Sequence, residues 1–145
     1  MSSLSLEQAS HVVDATLERG VELGLHPLTV AVLDAGGHLV AFKRQDRSGI
    51  LRYDIAFGKA WGVLGMGLGG RELARRAEIA PAFFTALASA SGGRVVPVPG
   101  GVLILDEVDD VIGAVGVSGD TSDNDEVCAI HGVLKAGLKP NGGPR

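Results

Sequence analysis

Leu28-Thr29-Val30-Ala31-Val32-Leu33, then Asp34-Ala35-Gly36-Gly37-His38, then Leu39-Val40-Ala41-Phe42, is the stretch from which the fold is read. The first run is apolar and β-branched, the middle holds turn residues, and the last run is apolar again. This predicts two antiparallel strands around a glycine-containing turn. Asp34 reads as the residue that caps the turn through its carboxylate.

The same pattern returns later in the chain. Val102 to Leu105 and Val111 to Val117 read as strands joined by the acidic turn Asp106-Glu107-Val108-Asp109-Asp110. Helices surround the two hairpins. Ser5-Leu6-Glu7-Gln8 is a capping box, and Leu6, Ala9, Val13, Leu17 and Val21 continue at helical spacing to about Gly24. Ile50 to Leu64 reads as a second helix, with the glycines of the 62–70 segment expected to fray or bend it. Arg71 to Glu78 reads as a short charged helical stretch, Pro81 fits the N1 position of a helix that Phe83 to Ser91 continues, and a last helix runs to about Leu138. Acidic residues at the start of that helix and Lys135 near its end suit the helix dipole. The predicted order is α-β-β-α-α-β-β-α, in one domain over 1–145, with Pro140 to Arg145 as a loose tail.

Composition bounds the function. A chain of 145 residues is long enough to bury roughly two-thirds of its unfolded surface without disulfides. The net charge of −4 argues against a nucleic-acid binder, which would present a basic face. Cys128 is the single cysteine, so neither an internal disulfide nor a cysteine-built zinc site is expected. No basic-then-apolar leader and no apolar run of membrane-spanning length is visible, so the expectation is a cytoplasmic protein with no membrane partner. Gly65-Met66-Gly67-Leu68-Gly69-Gly70 mimics a dinucleotide fingerprint, but no predicted strand precedes it.

Four segments in order resemble one family. They are the hairpin Val30 to Phe42, the helical Ile55-Ala56-Phe57-Gly58-Lys59-Ala60, the Pro99-Gly100-Gly101 turn followed by Gly113-Ala114-Val115-Gly116-Val117-Ser118-Gly119, and Asp125-Glu126 with Ala129 and Gly132. Together they resemble the GlcG/HbpS-like heme-binding family, which includes the C-terminal domain of PduO, over Leu6 to about Leu138. The resemblance implies a profilin-like α/β (α+β) fold with an antiparallel sheet of about five strands flanked by helices. It also implies a homo-oligomer, often an octamer, and heme or a related tetrapyrrole as the ligand of some members. Leu103, Trp61-Gly62, His131 and the loop Ser48 to Tyr53 depart from the family pattern, all near segments that would line a site.

The candidate residues each carry two readings. His131 falls at the edge of the stripe formed by Val127, Ile130, Leu134 and Leu138, so it either bonds to backbone or serves as an iron ligand or general acid/base. His11 points away from the apolar stripe of its helix, while His26 and His38 sit in connectors. Lys59, inside a small apolar run, either snorkels at a helix edge or is a buried functional amine. Asp125 joins Lys59 and His131 as the polar set for acid/base chemistry. Arg44 and Arg47 either sit solvated or pair with a ligand carboxylate such as a heme propionate. Tyr53 and Trp61 either stack on a flat ligand or fill the core. Gly100, Gly101 and Ser118 either form turns and caps or offer backbone N–H groups to an anion.

Three functions remain open at this point. The leading one is an oligomeric binding module for a tetrapyrrole or similar planar acid. The alternative is a small-molecule enzyme acting on a carbonyl or carboxylate in the same pocket. The third is an assembly subunit without a ligand. The first two require the second helix, the double-glycine turn and the last helix to enclose one cavity containing Lys59, Gly100 and His131.

Overall fold

The computed structural model describes residues 3–144 of the chain. Five helices and five strands alternate in the order α1 (Leu6–Glu22), β1 (Thr29–Asp34), β2 (Leu39–Arg44), α2 (Arg52–Met66), α3 (Gly70–Ile79), α4 (Pro81–Ala90), β3 (Gly101–Leu105), β4 (Val111–Ser118), α5 (Ser122–Lys135) and β5 (Lys139–Asn141). The strands form one antiparallel sheet in the order β2-β1-β4-β3-β5. The fold is α+β, as the hairpin reading and the family resemblance imply. No helix among the described residues is long and apolar enough to cross a membrane.

Both hairpins form where the residue pattern places them. Asp34 Oδ1 accepts from the N–H groups of Gly36 at 2.9 Å and His38 at 3.0 Å, which closes the first turn. The capping box at α1 is complete: Ser5 Oγ accepts from Gln8 N, and Gln8 Oε1 accepts from Ser5 N, both at 3.0 Å.

Alternation along the strands gives the sheet two apolar faces. Val30, Val32, Val102, Val115 and Val117 face α1 and α5, where they meet Val12, Val13, Ala129 and Val133. Leu33, Leu103 and Ala114 face α2, with Ala60 and Val63, and reach Leu73 of α3 and Phe84 of α4. The approach of α2 to the sheet requires glycine: a Cβ on Gly116 would collide with the Ala56 carbonyl, and one on Gly101 with that of Lys59.

Three expectations are corrected. First, α2 runs unbroken through Gly62 and Gly65 and ends only at Gly67, which caps it with φ +69°. The loop around Val95 and Val96 packs against the bare backbone at Gly58 and Gly62, so tertiary contact offsets their weak propensity. Second, α3 and α4 are two helices where the predicted order counts one, and Pro81 opens α4 at the expected N1 position. Proline disfavours helical geometry at the preceding residue, and Ala80 turns out at φ −130°, ψ 63°. Third, the tail is not loose throughout: Lys139–Asn141 pairs with Leu103–Leu105 as the edge strand β5. Lys139 Nζ anchors it by donating to Glu107 O and Asp109 Oδ1, both at 3.0 Å. Arg145 lies outside the described residues.

Candidate functional site

Lys59 is the most unusual side chain in the fold. It lies at mid-helix in α2, on the face that packs on the sheet, and is 2% exposed. Its stem runs past Gly100, and its Nζ donates to Val117 O at 2.8 Å and to Asp125 Oδ2 at 3.1 Å. Asp125 is 1% exposed. It sits in the first turns of α5, which Thr121 caps by accepting from Asn124 N at 3.2 Å. Its other oxygen accepts from Asp120 N at 3.0 Å. The ion pair thus ties the end of β4 to the start of α5.

Glycine makes room for the ammonium. Gly100 holds φ +114°, and a Cβ there would lie 2.8 Å from Lys59 Nζ. Its carbonyl accepts from Val117 N at 3.0 Å, so the double-glycine turn is stitched to the strand that Lys59 grips.

Burial moves both members of the pair toward neutrality. Desolvation pushes the Lys59 ammonium down from its ordinary value; Asp125 opposes this and the Arg52 charge adds to it. Desolvation likewise pushes the Asp125 carboxyl up, against the attraction of Lys59 and the bond from Asp120 N. In both cases the loss of water outweighs the partner's attraction, the usual balance for a buried pair.

A second polar group adjoins the first. Ser118 Oγ, fully buried, accepts from Arg52 Nη1 at 3.1 Å. Thr29 is its register partner on β1 and shares a hydrogen bond of 2.7 Å with Ser48. The structure therefore brings together Lys59, Asp125, Gly100, Gly101 and, through Arg52, the neighbourhood of Ser118.

Tyr53 and Arg44 lie outside this cluster. Tyr53 packs edge-on against Phe42 at 5.2 Å between ring centroids and tilts against Phe57 at 5.9 Å. Arg44 is exposed at the end of β2, on the side to which strand alternation directs Phe42. Beside them Ile50 is 88% exposed and Leu51 66%. Phe42, Ile50, Leu51 and Tyr53 form an outward apolar strip with Arg44, Arg47 and Arg52 in the flanking segments.

His131 does not complete the Lys59 cavity. It is partly exposed on α5, roughly 9 Å along the helix from Asp125 and about 120° around it. The buried face of α5 consists of Asp125, Glu126, Cys128, Ala129, Gly132 and Val133, whereas Leu134, part of the expected stripe, is 58% exposed. The expected cavity shared by Lys59, Gly100 and His131 is thus not formed within one chain. No group of three or more His, Cys, Asp or Glu among the described residues could hold a metal ion.

Sequence reading missed Arg52, Arg71 and Glu126. Arg71 of α3 forms a bidentate pair with Glu126, Nε to Oε2 and Nη2 to Oε1 both at 3.1 Å, and its Nη2 also donates to Asp123 at 2.6 Å. Glu126 is buried, and an acidic residue facing inward directly after Asp125 was the available signal. Next to it, hydrogen bonds from Arg75 and then Arg76 hold the Glu72 carboxyl down at about 2.

Fold and cluster define the class: an antiparallel α+β domain that locks a buried lysine–aspartate pair between its double-glycine turn and its last helix. The family model of the haem-degrading, HbpS-like proteins matches residues 4–134, and the chain belongs to that family. Among solved structures, the PduOC:heme complex superposes with a TM-score of 0.85 at 25% identity, covering 94% of this chain and 97% of that one. HbpS of Streptomyces reticuli, in a doubly substituted form, gives a TM-score of 0.79 at 27% identity, covering 92% of this chain and 87% of that one. An uncharacterised 15.0 kDa protein of Citrobacter freundii, from the dhaT-dhaS intergenic region, is 26% identical over 129 residues, 89% of each chain.

Proposed function

We propose that this protein binds heme or a related tetrapyrrole as a homo-oligomer, with an octamer as the expected assembly. The observation that carries the reading is the apolar strip Phe42, Ile50, Leu51 and Tyr53 beside Arg44, Arg47 and Arg52. A tetrapyrrole is a flat apolar ring with carboxylates at one edge. Aromatic faces suit its plane, and guanidinium forks suit its propionates. Membership of the haem-degrading, HbpS-like family and likeness to the PduOC:heme complex support the same reading. His131 lies on α5, across the sheet from the strip, so in this reading it ligates iron bound at the strip of a neighbouring copy. A lone free cysteine suits a reducing compartment, and the reading places the protein in the cytoplasm.

Hemin titration tests it. A saturable, red-shifted Soret band is expected, weakened in Arg44→Gln and Tyr53→Ala and altered in position in His131→Ala. Folded protein that produces no such band refutes the proposal. Light scattering after size exclusion checks the assembly, and a stable monomer contradicts it.

The Lys59–Asp125 pair favours a second reading, acid/base chemistry on a carbonyl or carboxylate substrate. A buried amine and a buried carboxyl whose affinities for protons converge can pass a proton between them, as acid/base sites do. In that reading Gly100, Gly101 and Ser118 orient the substrate oxygen. Turnover without heme that is abolished in Asp125→Asn supports it, and unchanged turnover in that variant removes the pair from the chemistry. His131→Ala tests the third expected member in the same way.

A further inference from the structure

Helix α4 carries no charged side chain and buries only Phe84. Between it and the outer side of α2 lies an open groove of about 230 Å³, lined by Trp61, Met66, Leu87, Ala90, Ser91 and Val95. Gly65 lines it too. The nearest neighbour of a Cβ placed there would be Trp61 Cζ3 at 3.8 Å, so a larger side chain at Gly65 projects into the groove. Trp61 is two residues from Lys59 and thus about 200° around the helix, so this groove is separate from the buried pair.

A cation stands at the rim. The Arg94 guanidinium carbon lies 4.3 Å from the centroid of the Trp61 ring. Its Nε is fixed by donating to Ser91 O at 2.7 Å. That bond and the ring orient the guanidinium, while its two Nη groups have no described partner and remain available as donors.

We propose that this groove is a binding site for a small aromatic carboxylate, its ring against Trp61 and Leu87 and its carboxylate on the Nη groups of Arg94. The volume supports one ring with a short acid arm, since sites for larger drug-sized ligands span about 300–1,000 Å³. It is too small for a tetrapyrrole, so the inference stands apart from the heme reading. An apolar trough alone would accept many occupants; the preorganised fork at one end selects an anion.

Trp61 is the chain's single tryptophan, so its emission reports the groove directly. Phenylacetate is titrated against the full-length protein, with neutral phenylacetamide as the matched control. The expected result is a saturable emission change with phenylacetate and at least about tenfold weaker binding of phenylacetamide, as loss of a charge-assisted hydrogen bond implies. Arg94→Gln is expected to weaken phenylacetate by a similar factor and to erase the preference over the amide. Gly65→Leu, on an exposed helix face where leucine is the better helix former, is expected to abolish binding while circular dichroism stays as in the parent. Should Gly65→Leu unfold, Gly65→Ala, which meets only an ordinary contact, is expected to weaken binding. The proposal is overturned by equal binding of acid and amide, by unchanged affinity in the folded Gly65 variants, or by the absence of saturation. It is also overturned if ligand-free emission shifts on dilution with assembly, because a second copy then fills the groove.

Discussion

Replacing Lys59 by methionine keeps an apolar stem of similar length and deletes the ammonium. Asp125, at 1% exposure, is left as a buried carboxylate whose remaining bond is to Asp120 N. The fold can escape the charge by protonating it. A carboxyl with an ordinary value of 3.8 resists this by about 1.36 kcal/mol per pH unit. The escape therefore costs about 4 kcal/mol at pH 7 and about 1.6 kcal/mol at pH 5. The former lies within the roughly 3–5 kcal/mol typical of breaking a buried pair. Val117 O also loses its donor, which adds about 1 kcal/mol at any pH. The sign follows from the direction of the shift. A carboxyl raised in the fold contributes its full stability below its unfolded value and loses it as pH rises through the folded value. In the parent the Lys59 charge and the bond from Asp120 N oppose that rise; in Lys59→Met only the bond from Asp120 N does.

Urea unfolding of both proteins at pH 5 and pH 7 and one fixed protein concentration, followed by Trp61 emission and circular dichroism, measures the difference. The deficit is expected to grow by about 2–3 kcal/mol between the two pH values. The double variant Lys59→Met/Asp125→Leu is expected to recover much of the loss at pH 7, because no uncompensated charge remains. A deficit that is equal at both pH values, or below about 1 kcal/mol at pH 7, refutes the reasoning. It would mean that the pair is neutral in the fold or that water reaches it.

Gly116→Ala is expected to lower stability by about 2 kcal/mol or more, because the new methyl meets the Ala56 carbonyl between two rigid elements; thermal denaturation followed by circular dichroism reads it. The Cys128 thiol is fully buried and pushed up to about 11 by desolvation, so it should not react with an aromatic disulfide reagent at pH 8 in the native protein and should give one equivalent after denaturation. Ser5→Ala breaks the α1 capping box and is expected to cost about 1 kcal/mol, lowering the melting temperature by roughly 2–4 °C.

What was legible in the sequence was local. The Asp34 turn, the Ser5 capping box and both hairpins are set by residues within a few positions of one another, and all appear in the structure. β5 was illegible because Lys139-Pro140-Asn141 has no pattern of its own; it becomes a strand through the edge that β3 offers. The site failed for the same reason. Lys59 and Asp125 each stand out in the sequence, but 66 positions separate them, and only the fold makes them partners. Apolar periodicity gave only the edge of the buried face of α5: Ile130 and Leu138 pack against the core while Leu134 is exposed, and the face itself is built mainly from small and acidic residues. Those acids have a common logic. Asp125 captures Lys59 from α2 and Glu126 captures Arg71 from α3, so consecutive carboxylates hold cations delivered by two helices packed toward the other side of the sheet. The first turns of α5 are thereby clamped across the sheet, and charge does there what leucine does in the other helices. Consecutive inward-facing acids at a helix start thus signal two distant cations; a search for lysine inside a small, apolar helical run returns Lys59, whereas Arg71 shares its charged helix with Arg75 and Arg76 and is singled out only by the fold.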